Sequence, residues 1–248
     1  MLRRIASLLF WAFLVVTSLL LFPIAVLIVV MAFPFDPRRR ALHLFTCFWA
    51  SLYTWCNPLW HVHIEHRDRI DPQTTYVMVA NHLSLLDILV LFRLFTHYAW
   101  VSKIENFRVP VIGWNMRLNR YIALVRGDRA SAELMMAQCR ATLLAGTSIM
   151  MFPEGTRSRD GALQPFRPGA FELALQTSTA ILPIIISGTG EALPKRGFVL
   201  QGRHDIGLTV LEPIPVADFG TDDPALLAAR VHDLIAAAQG ADGAAEMP

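Results

Sequence analysis

His82 and Asp87 stand five positions apart in VANHLSLLDILVLF (residues 79–92), where a strand-like apolar run gives way to one of helical period. A carboxylate in the first turn of a helix can face a histidine in the turn before it. It then holds one ring nitrogen and leaves the other free as a base. The spacing alone selects nothing, because the chain has three such pairs: His63 with Asp68, His66 with Asp71, and His82 with Asp87. Position favours the third, since ligands of open α/β sheets bind where strands end and helices begin. Ser84 and Asp87 also fit a capping box, a structural use of the same carboxylate that is compatible with holding a histidine. There is no G-x-S-x-G elbow and no cysteine beside a histidine. The pair therefore suggests direct activation of a substrate hydroxyl, with no covalent intermediate.

The second chemical stretch is IMMFPEGTRSRDG (residues 149–161). A buried strand runs into a turn forced by Pro153 and Gly155, from which Glu154 and Arg157 project. Backbone N–H groups in such a turn can receive an anion or a developing oxyanion. The alternative is a polar surface turn carrying an Arg–Glu pair. HVHIEH places His61 and His63 on one face of a strand, but no carboxylate or cysteine completes a metal site, so surface histidines and no metal are expected. Cys47, Cys56 and Cys139 offer neither a disulfide framework nor CxxC spacing and read as reduced, mostly buried thiols.

Several elements must position these groups. HVHIEH, TYVMVAN, YAWVSK, RYIALVR, SIMMF, AILPIIISG and DIGLTVLEP read as strands. SLLDILVLFRLF, RASAELMMAQCRATLLAG (closed by Gly146), GAFELALQT and DDPALLAARVHDLIAAA (Asp cap, Pro224 in the first turn) read as helices. Strands alternating with helices predict an α/β domain with a mixed, largely parallel sheet flanked by helices. Residues 241–248 read as a disordered tail.

Fifty-four per cent of the 248 residues are hydrophobic and the mean hydropathy is +0.43, too apolar for an ordinary soluble domain. The excess lies in residues 1–60, where Ile5–Phe33 and Ala41–Trp60 carry no charge, and these two segments read as a permanent membrane anchor rather than a cleaved signal peptide. Pro23 is expected to kink or break the first segment. Of the net charge of +2, residues 1–60 hold +4, five arginines against Asp36, leaving −2 for the rest. Positive charge beside apolar segments suits anionic headgroups and gives no nucleic-acid stripe. Arginines at both ends of the first segment favour a membrane-embedded helical hairpin over a straight span. The aromatic-rich FTCFWASLYTWCNPLW fits an interfacial belt.

NHLSLLD resembles the NHxxxxD motif, and FPEGTRS the seven-residue third motif, of the glycerolipid acyltransferases, in particular the bacterial 1-acylglycerol-3-phosphate branch. VSKIENFRVPVIGW is similar to the family's lysine-containing segment, with Lys103. RYIALVRGD is similar to the second motif, with Arg126 at its arginine position. LQPFRPGAF resembles the basic-then-glycine continuation through Arg167, and ILPIIISG the fourth motif at Pro183. The resemblance covers about residues 60–215. Two departures, Asn119-Arg120 where many members carry glycine, and Val125-Arg126 in place of an acidic–basic pair, bear on the acceptor headgroup rather than the chemistry.

The resemblance implies an anchor over residues 1–60, an acyltransferase domain over 61–240, and an enzyme at the cytoplasmic face of a bacterial inner membrane. The acceptor would be 1-acylglycerol 3-phosphate (lysophosphatidate). The donor would be acyl-CoA or acyl carrier protein, with no cofactor because a thioester is already activated. His82 and Asp87 would be catalytic; Arg126, Glu154, Gly155, Thr156, Arg157, Lys103 and Arg167 would bind substrate. Three alternatives stand beside it: an acyltransferase for another lysolipid, a non-catalytic lipid-binding membrane protein, and a thioesterase or lipid hydrolase.

Overall fold

The computed structural model describes residues 1–195 and 197–245, with side chains to residue 240. The first apolar segment forms one helix, α1 (Leu2–Ala32), and the second forms α2 (Arg40–Trp55). Then follow β1 (Trp60–Glu65), β2 (Tyr76–Ala80), α3 (Leu86–Leu91), β3 (Tyr98–Lys103), α4 (Ile112–Leu118) and β4 (Ile122–Leu124). The chain continues through α5 (Arg129–Leu144), β5 (Ser148–Met151), α6 (Gly169–Thr177), β6 (Ala180–Ser187), the single turn α7 (Thr189–Ala192), β7 (His204–Val210) and α8 (Pro224–Ala245).

The strands form one seven-stranded sheet in the order β1-β7-β6-β2-β5-β3-β4. The five strands from β6 to β4 are mutually parallel; β7 runs antiparallel to β6 and carries β1 parallel to itself. Every residue of β2 and β5 is buried, as unbroken apolar runs require in strands covered on both faces. Crossovers in such sheets are right-handed. From β2 to β3 the chain steps towards β4, and from β4 to β5 and β5 to β6 it steps back. Helices α3 and α4 therefore cover one face, and α5 and α6 the other. Helix α8 packs on α6 and β6, while α2 packs on α3.

Of the kink or break expected at Pro23, the break is absent: the helix runs through it for 31 residues, about 46 Å at roughly 1.5 Å per residue. Proline removes one backbone bond, and flanking turns this long and apolar hold the rest. The chain reverses instead at residues 33–39, where Asp36 accepts from the Arg40 and Ala41 N–H groups and caps α2. The hairpin is thus made by α1 and α2.

Helix α1 lies against the domain. Near its start, Trp11 Nε1 donates to the Phe198 carbonyl (2.7 Å) and Ser7 Oγ accepts from Leu200 N (2.9 Å). At its middle Thr17 and Ser18 meet the Tyr53 hydroxyl of α2, and further along Phe22 packs on Trp114 of α4. Its outer face, including Leu8, Leu9, Leu19, Leu20, Leu27 and Val30, is exposed. Among the described residues α1 is the one helix long and apolar enough to cross a membrane. Helix α2 is fixed by a buried polar contact, His43 Nδ1 to Tyr121 Oη at 2.9 Å, and burial pushes the His43 pKa down to about 3, so it stays neutral.

Sequence periodicity overran two elements and missed one. Helix α3 ends at Leu91, giving way to a 3-10 turn over Phe92–Leu94, and β4 is only three residues long. Helix α4 begins at the end of VSKIENFRVPVIGW and runs on to Leu118; Pro110 and Gly113 masked its start. Helix α8 runs on to Ala245, over residues read as tail, while 246–248 lie outside the described residues.

Candidate active site

Five parallel strands bring their carboxyl ends to one edge, and the chemically able side chains follow those ends directly. His82 follows β2, Lys103 closes β3, Arg126 follows β4, Glu154 follows β5, and Thr189 follows β6. Ligands of open α/β sheets bind at this edge. Asn81 sets the geometry: its Nδ2 donates to the Ile186 carbonyl (2.9 Å) and its Oδ1 accepts from Ile186 N (2.8 Å). The side chain thereby adds a rung between β2 and β6, and His82 emerges from a fixed point.

Asp87 is fully buried, and Oδ2 accepts from His82 Nδ1 (2.7 Å), Leu83 N (2.7 Å) and Ser84 N (2.9 Å). The capping and histidine-holding roles therefore meet on one oxygen. The other, Oδ1, accepts from the buried Thr189 hydroxyl at 2.5 Å. With Nδ1 donating to Asp87, Nε2 of a neutral ring is the acceptor, the nitrogen a general base uses. The ring stacks flat on Phe152, centroids 3.8 Å apart and planes 7° apart, which blocks one face. His63 and His66 have no such setting; His61 sits on edge strand β1 with its Nδ1 3.4 Å from Asp205.

Thr189 was not legible in the sequence, although a hydroxyl just past an apolar strand and a glycine is a signal worth weighing. Thr189→Val leaves a buried carboxylate oxygen short of a donor, a loss of roughly 1–3 kcal/mol that falls on the orientation of Asp87. The expected result is a fall in kcat of about tenfold with KM unchanged, and recovery in Thr189→Ser. A steady-state comparison of the three proteins checks it; a rise in KM alone would assign Thr189 to substrate binding instead.

Glu154 joins the two motif loops. Its Oε1 accepts from His82 N (2.7 Å) and its Oε2 from Gln164 N (3.3 Å), while Ser158 N donates to the His82 carbonyl (2.7 Å). Burial pushes the Glu154 carboxyl up to about 7, with nearby Asp87 adding to the rise and the two N–H donors opposing it. The folded protein holds this proton more tightly than the unfolded chain, where the carboxyl titrates near 4.5. Its contribution to stability is therefore full below that value and is lost as pH rises towards 7. Wild type should lose stability relative to Glu154→Gln between about pH 5 and about pH 8, read as a converging urea midpoint.

Beside this joint lies a cluster of cations. The Arg126 guanidinium donates to the Gly155 carbonyl, and Arg167 Nε would stand 2.8 Å from a Cβ at Gly155, whose φ is +71°. The positive φ is what favours glycine there, since the Arg167 side chain could shift. Burial lowers the pKa of Lys103, and the charges of Arg126 and Arg157 lower it further. That of Arg126 is lowered by burial and then by Arg167, with Glu105 opposing in both. Lys103, Arg126, Arg157 and Arg167 are thus brought within one another's field, which suits a multiply charged anion. Thr156 is exposed at the tip of the turn. On the β6–α7 side lies a cleft lined by Leu83, the residue after His82, with Ser158, Gly188, Gly190, Pro194 and Lys195. Of the two departures, Asn119 Nδ2 donates to Thr46 Oγ1 of α2 (3.1 Å) and Arg120 to the Pro37 carbonyl (3.0 Å). Both residues of the first departure, Asn119-Arg120, thus dock the hairpin, whereas the second, Val125-Arg126, lies at the cation cluster.

Residues 61–187 match the family model described as Acyltransferase. A 1-acyl-sn-glycerol-3-phosphate acyltransferase of Chlamydomonas reinhardtii is 37% identical over 196 residues, 78% of this chain and 58% of that protein. The chloroplastic 1-acyl-sn-glycerol-3-phosphate acyltransferase LPAT1 of Arabidopsis thaliana is 36% identical over 182 residues, 73% of this chain and 51% of that protein. The chain thus spans little more than half the length of these relatives. The crystal structure of the 1-acyl-sn-glycerophosphate (LPA) acyltransferase PlsC from Thermotoga maritima superposes with a TM-score of 0.77 at 22% identity, over 99% of each chain. That likeness is one of fold.

Proposed function

The chain belongs to the acyltransferase family, and on that premise we propose that it acylates the sn-2 hydroxyl of 1-acylglycerol 3-phosphate to give phosphatidate. The donor is an acyl thioester of coenzyme A or acyl carrier protein. The observation that carries this reading is the His82–Asp87 pair, held at 2.7 Å within a loop bonded directly to the turn that bears the cations. His82 Nε2 takes the hydroxyl proton as the oxygen attacks the thioester carbonyl, and Asp87 stabilises the imidazolium. Collapse of the tetrahedral intermediate breaks the C–S bond, and the proton passes from His82 to the departing thiolate. A positioned base contributes typically about 10²–10⁴-fold.

The acceptor phosphate sits among Arg126, Arg157, Arg167 and Lys103, whose charge answers a phosphate monoester better than a zwitterion. Glu154 holds the His82 loop, with Gly155 and Thr156 shaping the turn. The donor enters from the β6–α7 cleft, whose wall includes Leu83, next to His82 in the chain. No cofactor is required, because the thioester supplies the activated carbonyl. The apolar outer face of α1 supports a site at a bilayer surface, where acceptor and product would both reside. We assign it to the cytoplasmic face of a bacterial cell membrane, on the strength of the arginines flanking α1 and α2.

The test is acyl transfer by the purified full chain in vesicles, with an oleoyl thioester and a panel of lysolipids. Phosphatidate from lysophosphatidate, at least tenfold faster than product from lysophosphatidylcholine or a lyso-ornithine lipid, is the expected result. Acylation of another lysolipid alone would keep the chemistry and move the substrate; no transfer to any of them would overturn the reading.

A further inference from the structure

The connection from β3 to α4 contains a strained residue. Val111 has φ +64° and ψ −58°, and Ile112 N donates to the Pro110 carbonyl at 2.7 Å, closing a three-residue turn of the rare positive-φ kind. A β-branched residue in this region is an outlier that persists only when its surroundings over-determine it. They do here. A Cβ at Gly113 would stand 2.3 Å from the Phe107 carbonyl, so the chain can close at that point only with glycine. Phe107 is buried with Arg117 over its ring.

The strained turn buries Val111 and turns its neighbours outward: Val109, Ile112 and Trp114 are 45%, 37% and 50% exposed. Val125, 39% exposed, stands just ahead of Arg126 at the end of β4. Trp114 packs on Phe22, which makes this apolar group continuous with the exposed face of α1. Arg108, Arg117 and Arg120 are exposed around it, and Glu105 is the only carboxylate between Lys103 and Arg120. An apolar tip with a basic collar matches an anionic bilayer surface, where apolar burial and headgroup attraction add.

We propose that the β3–α4 turn is a second bilayer-inserting element, a lip that sets the cation cluster at the headgroup level of an anionic membrane. Lys103 precedes the lip and Arg126 follows Val125, so a phosphate at that level meets the cluster without its lipid leaving the leaflet. The proposal rests on α1 lying in the membrane but not on the chemistry at His82.

The test uses the full chain in a Cys56→Ser background, since Cys56 is exposed while Cys47 and Cys139 are buried. An environment-sensitive fluorophore is placed by Val109→Cys or Ile112→Cys on the lip, by Leu20→Cys on α1, and by Leu226→Cys on the opposite face of the domain. Circular dichroism confirms the fold of each. In phosphatidylcholine vesicles containing phosphatidylglycerol and a doxyl-labelled lipid, blue-shifted, strongly quenched emission is expected at the two lip positions and at 20, and none at 226. Quenching at the lip should weaken when phosphatidylglycerol is omitted. Quenching at 20 with water-like emission at both 109 and 112 would overturn the lip and leave that surface to a protein partner. Water-like emission at 20 as well would remove the membrane reading of α1 and the lip with it.

Discussion

His82→Ala is expected to lower kcat by about 10²–10⁴-fold, with KM for lysophosphatidate within a few-fold of wild type. The size follows from the position of His82: its Nδ1 is committed to Asp87, leaving Nε2 as the acceptor for the hydroxyl proton. The fold should survive, because Asp87 keeps its bonds from Leu83 N, Ser84 N and Thr189 and remains a satisfied carboxylate. The backbone bonds of residue 82 to Glu154 and Ser158 do not depend on its side chain. Circular dichroism and the thermal midpoint should therefore match wild type while turnover falls. Equal turnover in both proteins would reduce NHLSLLD to a capped helix and return Asp87 to a purely structural role.

Arg126→Gln has the second largest expected effect, and it should appear in acceptor recognition. A hydrogen bond to a charged group is worth roughly 1.5–3 kcal/mol, which converts to about 10–150-fold in kcat/KM. Arg126 is part-exposed and shares its field with Lys103, Arg157 and Arg167, so the lower half of that range is expected. The loss should lie mostly in KM, grow smaller as salt is raised, and vanish for an acceptor lacking the phosphate, such as a monoacylglycerol. Saturation curves for the two acceptors, at low and high salt, check all three points. An equal loss with the neutral acceptor would mean that Arg126 instead supports the turn through its bond to the Gly155 carbonyl.

The strand reading was legible because parallel strands buried on both faces must be unbroken apolar runs, as in YVMVA and SIMM. Their order was not, because nothing in AILPIIIS or HDIGLTV says that β7 turns antiparallel and carries β1 with it. The break expected at Pro23 is absent because the length of α1 and the packing on either side of it outweigh one lost backbone bond. At the site, His82, Asp87, Glu154 and the arginines were visible as functional groups on motifs. Asn81, Phe152 and Thr189 were not, because each acts through a neighbour distant in sequence: Ile186, the His82 ring, or Asp87. The same distance hid the structural use of Asn119 and Arg120, whose partners lie in the anchor.

Helix α1 is bonded to the Phe198–Leu200 loop near its start and to Tyr53 at its middle, and packs on Trp114 beyond. The short link over residues 33–39 is therefore not what keeps α1 on the domain. A chain nicked at Phe35, which is exposed in that link, would stay one particle in detergent, and two separately expressed fragments would reassemble. The protein is in this sense two pieces whose union does not depend on chain continuity at Phe35, and a split reporter of membrane assembly could be built at that cut.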